Sequence, residues 1–102
     1  MVINKVMEGR TLTLVIEGEI DTPQAAKFQE VLIQSFEEAD EVILDFDKVD
    51  YIASATIRAL MVAENTSKAK GVPMSLINVT NEKVTKVFYT VGAYKAKLFN
   101  FK

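Results

Sequence analysis

The chain has 102 residues, 49% of them hydrophobic and 25% charged, the balance of one globular domain and not of a disordered segment. It contains neither cysteine nor histidine, which excludes disulfides, Cys/His zinc sites, thiol nucleophiles and imidazole bases. The net charge of −2 conceals a split, −8 over residues 1–51 and +6 over residues 52–102, so that an acidic and a basic half either complement each other in the fold or face different partners.

Taken in order, Val2, Asn4 and Val6 alternate with their neighbours up to Glu8-Gly9-Arg10, which reads as a turn. Leu12, Leu14 and Ile16 then alternate with Thr11, Thr13, Val15 and Glu17, so the first two elements form a hairpin whose second strand stops at Gly18. Asp21 or Thr22 is a good N-cap for a helix, and Pro23 suits the first turn, where its missing N–H would be unpaired anyway. Ala26, Phe28, Val31, Leu32, Ser35 and Phe36 recur at helical spacing up to Glu38.

Glu41 to Phe46 is short, β-branched and apolar on both faces, a central strand covered by helices, and Asp47-Lys48-Val49-Asp50 reads as the loop beyond it. A second helix runs from about Ser54 to Lys70 and closes at Gly71. Pro73 to Val79 is a further strand, and Asn81 to about Thr90 a short helix with Val84, Val87 and Phe88 on its apolar side. Leu98 to Phe101 is a terminal strand or an extended tail. The order ββαβαβα(β), with helices between strands, predicts a single α/β domain over residues 1–102, its mixed sheet of four to five strands flanked by helices.

Two segments in this frame resemble a known family. Gly18-Glu19-Ile20-Asp21 follows the second strand and opens a helix. Val42 to Phe46 is followed by Val49-Asp50-Tyr51-Ile52 and then by Ala53-Ser54-Ala55-Thr56-Ile57-Arg58-Ala59-Leu60. Together they resemble the STAS domain of bacterial anti-sigma factor antagonists, where a Gly-Glu-Leu/Ile-Asp element precedes the first helix and an Asp-Ser-small-Gly-Leu segment opens the second. The resemblance covers nearly the whole chain. It implies a protein that binds an anti-sigma factor with serine kinase activity while unphosphorylated and is released when Ser54 is phosphorylated. It implies a contact surface from Glu19 and Asp21 through Asp50 and Tyr51 to Ala53, Ser54, Ala55, Thr56, Ile57 and Arg58. ATP and Mg²⁺ belong to the kinase, so no cofactor is expected here, and neither is catalysis.

The motif departs from the family at two points: Ala53 stands where the family has an acidic residue, and Thr56 where it has glycine. Ala53 can neither orient the Ser54 hydroxyl nor engage a kinase. Thr56 is larger than glycine, would crowd a partner close to the helix start, and offers a second hydroxyl as an alternative phosphoacceptor. A purely local role is also open for Ser54, as the N-cap whose hydroxyl accepts from the N–H of Thr56 or Ile57. These departures leave room for a STAS adaptor that binds a protein partner without phosphorylation.

A third reading rests on Asp45, Asp47 and Asp50, near the C-terminal end of the central strand, where open α/β sheets place ligands. Three carboxylates there would suit Mg²⁺ in an acidic-site phosphotransfer protein. Such a site needs an earlier acidic pair and a late lysine, and the chain offers only Glu17, Glu19 and Asp21. No phosphate-cradling glycine loop is present. The sequence pI near 5.1 and the scattered lysines argue against nucleic acid. No apolar run reaches a membrane span and no secretory signal opens the chain, so a cytoplasmic location is expected.

Overall fold

Gly9 takes φ +62° as the first residue of a two-residue turn, a conformation glycine adopts without steric cost. That turn joins strands β1 (Val2–Glu8) and β2 (Thr11–Ile20), which pair antiparallel from Val2 opposite Glu17 to Glu8 opposite Thr11. The computed structural model describes residues 1–102. Helix α1 (Thr22–Glu38) leads to β3 (Glu41–Ile52), helix α2 (Ser54–Lys70) to β4 (Met74–Ile77), and helix α3 (Glu82–Thr90) to a C-terminal tail. The sheet order is β1-β2-β3-β4, with β2, β3 and β4 parallel, as helical crossovers between successive strands require.

Alternation along β2 buries Leu12, Leu14 and Ile16 and leaves Thr11, Thr13, Val15 and Glu17 half-buried. One sheet face therefore carries the core, which joins Phe28, Leu32 and Phe36 of α1 to Val42, Leu44 and Phe46 of β3 and to Leu60 and Ala63 of α2. Each fully buried large side chain of this kind contributes about 1.5–3 kcal/mol relative to exposure. On α1 the inward alanine is Ala25, whereas Ala26 faces solvent: Ala25 lies three residues before Phe28, in line with the buried face.

Three element ends differ from the sequence expectation. β2 does not stop at Gly18; it runs through Gly18 (φ +90°) to Ile20. Residues Asp47–Asp50 are strand and not loop, because β3 continues to Ile52 alongside the extended β2. Two register shifts, between Val15 and Glu17 and between Gly18 and Glu19, each place an extra residue on β3, and these bulges hide the alternation from a sequence reading. β4 ends at Ile77, short of Val79, where Asn78 turns left-handed at φ +57°. The expected last strand is reduced to one parallel bridge, Phe101 beside Leu76.

Candidate functional site

The extended ends of β2 and β3 form a two-stranded arm that outruns the β4 pairing, which ends at Asp45 opposite Ile77. On this arm Glu19 lies beside Tyr51 and Ile20 beside Ile52. Each strand then passes directly into a helix. Asp21 caps α1, its carboxylate accepting from the Gln24 N–H at 3.1 Å. On the second strand Ala53 is the residue before α2, and Ser54 is the first residue inside it.

This placement corrects the capping expectation for Ser54. The N-cap is Ala53, which has no side-chain acceptor, and no intramolecular hydrogen bond engages the Ser54 hydroxyl. The capping work falls to Thr56. Its Oγ1 accepts from the Ala53 N–H at 3.2 Å and donates to the Ile20 carbonyl at 2.6 Å. The Ala53 N–H also donates to that carbonyl, at 3.1 Å. Thr56 thus ties the start of α2 to the end of β2 and fixes the two helix starts relative to each other.

Burial sorts the expected contact residues into two groups. Glu19, Asp50, Tyr51, Ser54 and Arg58 are exposed, and Asp21 and Ala55 are half-exposed. Ala53, Thr56 and Ile57 are buried, with Thr56 at 0% exposure, so they support the surface without forming it. Thr56 consequently neither crowds an approaching partner nor offers an accessible phosphoacceptor; its hydroxyl is enclosed and occupied. Arg58 stands one helical turn beyond Ser54 on the same face. Met61 and Val62, both well exposed, continue that face along α2. As apolar residues of a helix they carry no mark of a surface role in the sequence beyond their angular position next to Ser54 and Arg58.

The acidic cluster does not assemble into an ion site. One Asp45 oxygen accepts from the Asp47 N–H and from the Asn78 amide, both at 3.0 Å, and no group of three acidic side chains converges. No helix is long and apolar enough to cross a membrane. What the arm presents is an exposed surface. Unpaired carboxylates of Glu19 and Asp50 flank an exposed aromatic ring, beside a free serine hydroxyl at the N-terminal, electropositive end of a 17-residue helix.

Comparisons with known proteins bear on the family and the fold. The family model described as "STAS domain" matches residues 2–99. A search of curated protein sequences finds no match. Among solved structures, the Thermotoga maritima protein TM1081 is similar at TM-score 0.82 and 16% identity, over 97% of this chain and 84% of that one. An anti-sigma factor antagonist from Mycobacterium paratuberculosis is similar at TM-score 0.78 and 14% identity, over 98% and 83%. The Bacillus cell fate determinant SpoIIAA in its phosphorylated form is similar at TM-score 0.71 and 15% identity, over 99% and 91%. At such identities the structural likeness speaks for the fold.

Proposed function

The chain belongs to the STAS domain family, and from that premise we propose that it is a non-enzymatic anti-sigma factor antagonist. It binds an anti-sigma factor with serine kinase activity through the α2 start and is released when Ser54 is phosphorylated. The observation that carries this reading is the state of Ser54: exposed, first in α2, and free of any intramolecular bond. A hydroxyl so placed can be modified without dismantling anything.

The physics of the switch follows from the helix end. Phosphorylation adds about −1.5 to −2 charges, and the open N–H groups and dipole of the α2 start stabilise such an anion. Arg58, on the same face, supplies a second compensating charge. The domain itself thus accommodates the phosphate. A partner surface fitted to a neutral hydroxyl does not, and it meets this charge among the carboxylates of Glu19 and Asp50, so binding falls while folding is retained. One antagonist of this fold, SpoIIAA, has solved structures in both an unphosphorylated and a phosphorylated form, which supports the same chemistry for this chain. A cytoplasmic location goes with this role.

A second reading has one observation in its favour. Ala53 offers no carboxylate beside Ser54, so a kinase would have to find its acidic contacts on Asp50 and Asp21. If it does not, the same surface serves a constitutive adaptor. Affinity capture from a lysate of the native host, with wild type and Ser54→Asp compared by mass spectrometry, separates the two. Retention of an ATP-binding serine kinase by wild type and not by Ser54→Asp is the expected result. Equal retention of one non-kinase partner by both would remove phosphorylation from the account.

A further inference from the structure

The two edges of the sheet are treated differently. At β4 the tail closes the edge: the Leu76 N–H donates to the Asn100 carbonyl at 2.9 Å and the Lys102 N–H to the Leu76 carbonyl at 2.8 Å. At β1 nothing covers a seven-residue strand without proline or bulge. The turn Gly9-Arg10 closes on Glu8 and Thr11, so the even-numbered residues exchange bonds with β2 while Ile3, Lys5 and Met7 turn their N–H and C=O outward. Val2, Val6 and Met7 are 55%, 46% and 46% exposed. Such an edge is a template for another strand.

We propose that β1 pairs antiparallel with β1 of a second copy of this chain, joining the two sheets about a two-fold axis at Lys5. That register alone uses every outward backbone group: Lys5 meets Lys5 of the second copy, and Ile3 meets its Met7 on the helix-covered side. Centring the axis on Asn4 or Val6 leaves Met7 or Ile3 unpaired. Of the two charges on the strand, Lys5 and Glu8, only Lys5 falls on the axis, and this charge, ordinarily a block to pairing, is already paired, since the Lys5 ammonium lies 3.1 Å from the Glu38 carboxylate. Each lysine brings its own glutamate to the axis, so the two Lys5 side chains meet with their charge compensated. Beside β1 lies an open groove of about 770 Å³ against α1, lined among others by Lys5, Val31, Gln34 and Glu38. Because the strands run antiparallel, the two Glu19–Ser54 surfaces point to opposite ends of the dimer, and both stay free for partners.

Sedimentation velocity of the full chain over a wide concentration range tests this, with amide hydrogen exchange read in parallel. Wild type is expected to reach dimer mass, with the Ile3, Lys5 and Met7 amides gaining protection as concentration rises. Lys5→Pro removes an outward N–H without touching the β2 ladder, and Met7→Lys places charge opposite Ile3 with the backbone intact. Each is expected to weaken self-association at least about tenfold, or about 1.4 kcal/mol. Tyr89→Lys, on the most exposed aromatic elsewhere, is expected to leave it unchanged. A wild type that stays monomeric at every concentration overturns the proposal, as does a dimer that Met7→Lys leaves intact.

Discussion

Thr56 and Ser54 lie two residues apart and carry opposite duties. Removing the Thr56 hydroxyl strips the buried Ile20 carbonyl of one donor and the Ala53 N–H of one acceptor. Thr56→Val is therefore expected to lower unfolding stability by about 1–3 kcal/mol in a denaturant titration. Ser54→Ala removes a hydroxyl with no partner, and its expected cost is below about 0.5 kcal/mol. Had Ser54 been the cap, the order would reverse. The sequence brought Ser54 to the right helix end but misjudged this division, because N-cap and first helical residue differ by a single position. The clue lay in Thr56 itself, three residues after the cap, where a side chain reaches back to the cap N–H. Glu64 gives a further residue-level test. Burial raises its carboxyl above the ordinary carboxylate range, and Lys68 one turn on opposes the rise only in part. The folded state then holds this proton more tightly than the unfolded chain, so stability grows as pH falls through the raised value and levels off below the ordinary one. Glu64→Gln is expected to flatten that part of the pH–stability curve, measured by thermal melts at stepped pH.

At the scale of elements, the arm made by the ends of β2 and β3 decides where the surface lies. Gly18 sits in it at φ +90°, with Met1 backbone atoms 3.8–3.9 Å from where a Cβ would fall. The space suffices but the backbone conformation does not suit an L side chain. Gly18→Ala is expected to cost about 1–2 kcal/mol in chemical unfolding and to weaken partner binding by displacing Glu19 relative to Tyr51. Strand and helix identities were legible from periodicity and caps, since Leu12, Leu14 and Ile16 alternate and Asp21-Thr22-Pro23 is strong start chemistry. The arm was not. A bulge adds one residue to one strand, breaks the alternation at Phe46–Asp47 and again at Asp50, and makes a continuing strand read as a loop. The family pattern had picked out both segments all the same, since Gly18-Glu19-Ile20-Asp21 and Ala53–Arg58 mark the two ends that the arm brings together.

For the whole molecule, the C-terminal tail is part of the fold. The rings of Phe88, Tyr94, Phe99 and Phe101 meet with centroids 4.5–6.1 Å apart, several of them edge to face, and Phe88 also leans on Phe46 of β3. Phe99→Ala is expected to cost about 3–5 kcal/mol by calorimetry or denaturant unfolding, although from sequence this segment read as a terminal strand or an extended tail. The charge split persists in the folded molecule: Lys83, Lys86, Lys95, Lys97 and Lys102 are exposed and without ion pairs, while Glu19 and Asp50 stand at the arm. The proposed partner face is thus acidic around one neutral serine, and the proposed switch rests on keeping that serine neutral. The most direct test is a calorimetric titration of the captured anti-sigma factor with wild type and Ser54→Asp, both melted in the same buffer. Matching melts with binding weakened at least about tenfold, or about 1.4 kcal/mol, is the predicted result. Equal affinities for two equally folded proteins would contradict a switch at Ser54.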